Sequence, residues 1–331
     1  MKIAINGFGR IGRPATKIAI GNPDVEVVAI NDLGELENLA YLFKYDSAYG
    51  VYPKSVEVKE GSLVVDGKEI KVFAEKDPSK LPWGDLGVDV VLECTGVFTD
   101  RKGCEGHLKA GAKRVIISAP TKDDSIKTIV IGCNEKDITA DDNILSMASC
   151  TTNCIAPMIK VLDENFGVEK SLMSTIHSYT ATQMLVDGPG GKKDMRRGRA
   201  AAMNVVPSTT GAAVAATLTL PQLKGKFDGM AFRVPTLVGS ISDVVILSKK
   251  ETTAEEVNDA FKKAAEGELK GIMEVTEEAL VSHDIVGNPH SVIMQLDLTN
   301  VVSGNMIKAV GWYDNEWGYS NRLVELAKLI F

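Results

Sequence analysis

Cys150 stands in the stretch Ala148-Ser149-Cys150-Thr151-Thr152-Asn153-Cys154, between a strand-like run, Ile144–Met147, and an apolar segment, Ile155–Ile159. This pattern predicts a cysteine at a strand-to-helix junction. There the unpaired N–H groups and the dipole of a helix N-terminus favour thiolate over thiol, and the thiolate is the nucleophile. Ser149, Thr151, Thr152 and Asn153 carry side chains that cap such a helix or bind an anion. His177 lies in a second strand-like run, Ser174–Thr180. A histidine beside an activated cysteine stabilises the thiolate and takes a proton. Spacing alone does not bring the two together, and each residue type also serves as packed structure.

The N-terminal segment adds a second chemistry. A short apolar strand, residues 2–6, runs straight into Gly7-Phe8-Gly9-Arg10-Ile11-Gly12, and a helix is expected from Arg10 to Ile20. A further strand, Val25–Ile30, ends at Asn31-Asp32. This is G-x-G-x-x-G after a strand and opening a helix, with an acid about 20 residues on, the pattern of a dinucleotide site. Gly7 allows the tight turn, Gly9 the approach of a pyrophosphate, and Gly12 close packing of helix on strand. Asp32 accepts from the hydroxyls of an adenosine ribose and repels a 2′-phosphate, which favours NAD over NADP.

A nicotinamide beside a thiolate restricts the reaction. Hydride leaves an aldehyde carbon poorly but leaves a tetrahedral thiohemiacetal readily. Cys150 would add to the aldehyde, His177 would accept the hydroxyl proton, and loss of hydride would leave a thioester. Arg196, Arg197 and Arg233, with several threonines, offer sites for a phosphate group.

The elements that must position these residues follow from hydrophobic periodicity. Helices are expected over 35–45 and 101–110, and strands at Asp89–Cys94, Arg114–Ser118, Ile129–Ile131 and Ile144–Met147. Residues 50–75 alternate and carry Asp66-Gly67, which reads as an antiparallel hairpin insertion. Strands alternating with helices predict a mainly parallel sheet, whose ligands sit beyond the strand C-termini. Gly7–Gly12, Asp32, Thr95-Gly96, Ser118 and Cys150 all lie at such ends. After about residue 167 the strand-like segments lengthen: Ser171–Thr180, Met230–Val234, Ser242–Ser248, Ser291–Leu298 and Met306–Tyr313. They predict a mainly antiparallel sheet. Pro157 predicts a kink or displacement in the helix after Cys150, since an interior proline costs roughly 3 kcal/mol. Thr253-Ala254-Glu255-Glu256 is a capping box, and the last helix, Gly318–Phe331, places Leu323, Leu326, Ala327 and Ile330 on one face. A long Gly-rich, basic loop spans 181–203.

Composition sets outer bounds. A chain of 331 residues, 44% hydrophobic, predicts two domains. A net charge of −7 argues against a general nucleic-acid grip. No apolar run approaches the ~20 residues of a membrane span, and the N-terminus lacks the features of a signal peptide, so a cytoplasmic protein is expected. Five thinly spread cysteines suit a reducing compartment. Cys150 and Cys154 lack the second Cys/His pair of a zinc site, so no metal is expected.

Taken in order, these residues resemble the phosphorylating glyceraldehyde-3-phosphate dehydrogenase family over nearly the whole chain. The resemblance rests on Asn6–Arg13, Asn31-Asp32-Leu33, Lys44–Ser47, Glu93–Phe98, Ala148–Cys154, His177–Thr180, Pro207–Ala213, Phe232–Thr236 and Trp312–Ser320. It implies an α/β Rossmann-type dinucleotide-binding domain, 1–149, completed by the C-terminal helix 316–331. It also implies an α+β catalytic domain, 150–315, with a mainly antiparallel sheet. By the same resemblance Cys150 is the acylated nucleophile and His177 its base. Thr180 and Arg233 hold the substrate's C3 phosphate. Ser149, Thr151, Thr210 and Gly211 hold inorganic phosphate, and Arg197 serves one or both anions. Arg10, Ile11 and Asp32 bind the adenosine half of NAD, Lys76 and Ser118 line its path, and Asn315 holds the nicotinamide carboxamide. The implied reaction is reversible oxidation of glyceraldehyde 3-phosphate to 1,3-bisphosphoglycerate by a homotetramer, with no membrane or nucleic acid required. An erythrose 4-phosphate dehydrogenase and an NADP-preferring variant are the alternatives. Many bacterial members carry a leucine before Pro189 and no glycine pair after it. Lys76 stands where arginine is frequent. Leu33 and Pro189 match NAD-using members.

Overall fold

The computed structural model describes residues 1–190 and 194–331. Gly191, Lys192 and Lys193 of the basic loop lie outside the described residues. The chain divides into two compact units. One comprises Met1–Ile129, Lys136–Ala148 and Ser320–Phe331, the other Val130–Glu135 and Ser149–Tyr319. Against the expected boundaries, residues 130–135, Ser149 and 316–319 fall in the second unit. The first of these shifts has a local cause. Lys160 Nζ donates to Gly132 O at 3.0 Å, and a Cβ on Gly132 would come within 2.7 Å of Leu269, so the segment is clamped to second-unit residues.

The first unit contains β1 (Lys2–Asn6), β2 (Glu26–Asn31), β3 (Tyr45–Asp46), β4 (Gly50–Val51), β5 (Val56–Lys59), β6 (Ser62–Val65), β7 (Lys68–Phe73), β8 (Val90–Glu93), β9 (Arg114–Ile117), β10 (Lys127–Thr128) and β11 (Ile144–Ser146). Its helices are α1 (Gly12–Ile20), α2 (Leu36–Lys44), α3 (Trp83–Leu86) and α4 (Arg101–Lys109). One sheet runs in the order β10-β11-β9-β8-β1-β2-β7-β6-β5. It is parallel from β10 to β7, and β7, β6 and β5 are antiparallel. The hairpin insertion therefore extends the main sheet. Its turn is made by Asp66 and Gly67 at φ 51 and 78, the left-handed pair that an Asp-Gly loop supplies. The expected strand Ile129–Ile131 is not formed. The strand is Lys127–Thr128, and the chain turns at Val130, whose carbonyl accepts from Cys133 N and Asn134 N. Apolar character there serves burial in a turn: Ile129 and Val130 are fully buried.

The second unit contains α5 (Cys150–Phe166), β12 (Val168–Ser178), β13 (Val206–Thr209), α6 (Ala212–Thr219), β14 (Phe227–Val234), β15 (Ser240–Ser248), α7 (Ala254–Glu266), β16 (Met273–Thr276), β17 (Val292–Gln295), β18 (Asn300–Val302), β19 (Met306–Tyr313) and the start of α8 (Trp317–Leu329). Its sheet runs β13-β14-β12-β15-β19-β17-β16, with β18 on β19. Only β12–β14 and β16–β17 pair in parallel, so the sheet is mainly antiparallel. The run expected as one strand over Ser291–Leu298 splits into β17 and a short 3-10 turn, Leu296–Leu298.

α5 continues unbroken across Pro157. Tertiary burial outweighs the local penalty: Ile155, Ala156, Met158, Ile159 and Leu162 are fully buried in one cluster with Val244, Ile246, Ile307 and Ala309 of β15 and β19. The capping box at Thr253 forms, with Thr253 Oγ1 accepting from Glu256 N at 3.2 Å and Glu256 accepting from Thr253 N at 3.0 Å. Leu323, Leu326, Ala327 and Ile330 are buried as their spacing predicts. No helix among the described residues is long and apolar enough to cross a membrane. Because α5 carries Cys150 and is held by packing, Ile159→Ala should cost about 2–5 kcal/mol of stability. A thermal or urea melt checks this, and an unchanged midpoint would show that the helix is anchored elsewhere.

Candidate active site

The second unit assembles Cys150 from its local sequence. Ala148 has φ 53, a left-handed conformation that costs a non-glycine residue roughly 1–2 kcal/mol and turns the chain sharply out of β11. Ser149 follows in extended conformation as the N-cap of α5. Its Oγ accepts from Thr152 N at 3.1 Å, and its carbonyl accepts from Asn153 Nδ2 at 2.9 Å. Cys150 is thus the first residue of the helix. Its Sγ lies 3.4 Å from His177 Nε2 on β12. His177 Nδ1 is 2.7 Å from the carbonyl oxygen of Ser178, and with its proton toward that acceptor Nε2 turns its lone pair toward the sulfur. Arg233 stands directly beside His177 in the parallel β12–β14 register. Its Nη1 donates to the same carbonyl at 3.0 Å and crowds Nδ1 at 2.6 Å.

Electrostatics correct one expectation. Burial pushes the Cys150 thiol up, although Arg233 and hydrogen bonds from Thr151 and the backbone pull it down. Burial, then the Arg233 charge, takes His177 from its ordinary 6.5 down to about 3, with Arg197 adding in the same direction. The free chain therefore holds a thiol beside a neutral imidazole. Removing both groups from water outweighs the helix terminus that favours thiolate. Cys154 is fully buried, packed near Met158 and Gly311, and its thiol is raised strongly by burial.

The anion-binding candidates divide. Thr180 Oγ1 and Arg197 Nη1 both reach Thr182 Oγ1, at 3.0 and 3.2 Å, and Arg197 Nε donates to Asp194 at 3.2 Å. Thr182 was not singled out in the sequence; only its threonine-rich surroundings hinted at it. Arg196 is exposed. Arg233 Nε and Gln183 Nε2 are buried without a partner among the described residues, donors of the kind an anion takes up. Thr210 Oγ1 accepts from Ala212 N at 3.2 Å, and Gly211 is the N-cap of α6 with open space where a Cβ would stand. Thr151 departs from its group. It is buried, and its hydroxyl meets Tyr313 OH at 2.9 Å, which in turn meets Thr175 Oγ1 at 2.8 Å.

Asn315 is buried, and its Oδ1 accepts from Ser178 Oγ at 2.9 Å and from Gly239 N and Ser240 Oγ at 3.1 Å. These donors fix which way the amide points and leave Nδ2 to donate. Ser178, Ser240 and Tyr313 escaped sequence reasoning because their partners lie far along the chain.

The first unit holds the dinucleotide candidates. Gly7 has φ 92, and a Cβ there would sit 2.7 Å from Thr95 N. A Cβ on Gly12 would strike the carbonyl oxygen of Gly7, while none would meet anything at Gly9. Ile11 is the N-cap residue of α1, and no side chain among the described residues caps that helix, although Arg13 N donates to Gly9 O at 3.2 Å. Asp32 accepts from Phe8 N at 2.7 Å and Gly34 N at 2.9 Å, one on each oxygen, keeping further lone pairs for ribose hydroxyls. Arg10 is drawn to Asp46 at 2.7 Å. Ser118 N donates to Glu93 O at 2.9 Å, and Lys76 is exposed. This uncapped, glycine-shaped helix entry with an acid at the end of β2 fits a dinucleotide.

Residues 1–101 match the glyceraldehyde 3-phosphate dehydrogenase NAD binding domain, and residues 149–315 match the C-terminal domain of the same enzyme. The chain belongs to the glyceraldehyde-3-phosphate dehydrogenase family. The Thermotoga maritima glyceraldehyde-3-phosphate dehydrogenase is 56% identical over 99% of this chain and 98% of its own length. The Geobacillus stearothermophilus enzyme is 54% identical over 100% and 98%. The Streptomyces avermitilis glyceraldehyde-3-phosphate dehydrogenase 2 is 53% identical over the same shares. As a member of the glyceraldehyde-3-phosphate dehydrogenase family the chain is an NAD-dependent oxidoreductase.

The depressed His177 has a consequence for stability. Between about 3 and 6.5 the native chain binds fewer protons at this residue than the unfolded chain, so stability rises with pH across that window. Its contribution is complete above 6.5 and is lost as pH falls toward the folded value. His177→Gln should therefore flatten the acid side of the stability–pH curve, measured by urea unfolding over that range. An unchanged slope would refute the burial argument.

Proposed function

We propose that this chain catalyses reversible NAD-dependent oxidation of glyceraldehyde 3-phosphate with inorganic phosphate, giving 1,3-bisphosphoglycerate, a step of glycolysis and gluconeogenesis. The observation that carries the reading is the 3.4 Å contact between Cys150 Sγ at the start of α5 and His177 Nε2, backed by Arg233. As Sγ attacks the aldehyde carbon, Nε2 takes the thiol proton and passes it to the carbonyl oxygen. NAD, when bound, supplies the hydride acceptor. His177 takes the hydroxyl proton as the adduct is oxidised, and the acyl group remains on Sγ as a thioester. Phosphate then displaces Sγ, which recovers a proton from His177.

Arg233 and Thr180 serve the substrate phosphate, and Ser149, Thr210 and Gly211 the attacking phosphate. Arg197 serves either anion. Thr151 assists through Tyr313 and the start of α5. Gly7, Gly9, Arg10, Ile11, Gly12, Asp32, Lys76 and Ser118 hold the cofactor, and Asn315 Nδ2 orients its carboxamide. Residues 1–149 with 316–331 form the cofactor domain and 150–315 the catalytic domain. The exposed apolar residues Leu172, Val214, Leu218 and Met306, with Leu185, Val186 and Met203 in the long loop, support assembly with further copies into a homotetramer. Sugar-phosphate chemistry of this kind suits the cytoplasm.

NADH formation from purified protein, NAD and phosphate tests the reading, with glyceraldehyde 3-phosphate and erythrose 4-phosphate compared and NADP as a further arm. Glyceraldehyde 3-phosphate with NAD should be preferred, and no NADH from either sugar would overturn the proposal. Cys150→Ser should abolish turnover and keep NAD binding. His177→Asn should slow acylation by roughly 10²–10⁴-fold. Full turnover in Cys150→Ser, or acylation at the parent rate in His177→Asn, would sink the covalent mechanism.

A further inference from the structure

Glu93 closes β8 and is 1% exposed. Its carboxylate accepts from four donors. Oε1 takes Thr95 N at 2.8 Å and Thr95 Oγ1; Oε2 takes Asn6 Nδ2 and His107 Nε2, the latter at 3.1 Å. The charge of the histidine follows from Trp83. Its indole Nε1 only donates and lies 3.0 Å from His107 Nδ1, so Nδ1 is unprotonated and the ring is neutral with its proton on Nε2. Thr95 Oγ1 also accepts from Val97 N at 3.0 Å, which leaves its own proton for Glu93. Glu93 therefore has every acceptor position engaged. It is a buried anion with no lysine or arginine partner among the described residues. Such a group is costly unless its hydrogen bonds are complete.

The position of this anion points to its use. Asn6 precedes the Gly7 turn, and Thr95 abuts Gly7. Asn6 Oδ1 accepts from Asn31 Nδ2 at 2.7 Å, and Asn31 is bound to Glu75 N and O, both at 2.9 Å. The network thus ties the C-terminal ends of β1, β2 and β8 to the segment that precedes Lys76, along the edge of the sheet where dinucleotides bind. We propose that Glu93 is a positioning residue for NAD. As a four-acceptor anion it locks the Asn6–Gly7 turn against the Thr95–Val97 turn, in the shape that receives the cofactor's ribose–phosphate chain. The inference rests on NAD binding at the Gly7–Gly12 turn.

Glu93→Gln tests it, since a glutamine of the same shape turns an NH₂ toward donors. On the full chain, isothermal titration calorimetry should show NAD binding weakened about tenfold or more, the scale of leaving buried donors unpaired. KM for NAD should rise while kcat at saturating NAD holds, and iodoacetamide should react with Cys150 at the parent rate without NAD. A folded Glu93→Gln that binds NAD within about twofold of the parent, with only its melting temperature lowered, would overturn the proposal and leave Glu93 a structural residue. If that variant does not fold, Thr95→Val decides. It removes one donor to Glu93 and should weaken NAD binding in the same direction, and an unchanged dissociation constant there overturns the proposal too. A parent chain that binds no NAD would instead refute the underlying cofactor assignment.

Discussion

The contact between Cys150 Sγ and His177 Nε2 sets the terms for the rest of the second unit, because His177 is buried and Cys150 is half-buried. Burial disfavours the charged form of each, so the pair rests as thiol and imidazole. What holds the imidazole so far down is burial together with Arg233 and Arg197, whose charges face it. An anion that neutralises those arginines would remove their share of that depression and raise the proton affinity of Nε2, leaving the larger share due to burial. The geometry couples anion occupancy to proton transfer without a moving part.

How much of this was legible in sequence depended on how local the cause was. The glycine turn, the Asp66-Gly67 hairpin, the Thr253 capping box and the buried face of α8 are set by residues within a few positions of each other, and each formed as its pattern predicts. The parallel and mainly antiparallel sheets were legible from alternation with helices. Ile129–Ile131 misled because an apolar triplet reports burial and not conformation, and the turn at Val130 is also buried. Pro157 lies inside a helix that continues across it, packed against β15 and β19. The helix-end pull on Cys150 is local and visible in sequence, whereas the burial that raises its thiol depends on the whole surrounding fold.

The site shows the same division. Cys150, His177 and Arg233 could be named from residue type and motif, and the fold brings them together. Thr151 could be named but not aimed; Tyr313, over a hundred and fifty residues away, turns its hydroxyl inward. Ser178, Gly239 and Ser240 orient Asn315 from two strands and the turn before one of them, and no sequence spacing announces such a cluster.

Hydrogen-bond satisfaction separates scaffold from site in the two units. Buried Glu93 in the first is completely satisfied by neutral donors, so its charge adds no demand on a ligand and its value lies in rigidity. Half-buried Arg233 in the second keeps an Nε without a partner among the described residues and sets its Nη1 2.6 Å from His177 Nδ1. A cation in that condition is held at a cost that packing elsewhere must cover, and an anion with oxygen acceptors relieves it. Sequence composition counts both residues alike as charge. Only the inventory of partners distinguishes the charge that shapes the protein from the charge that awaits something.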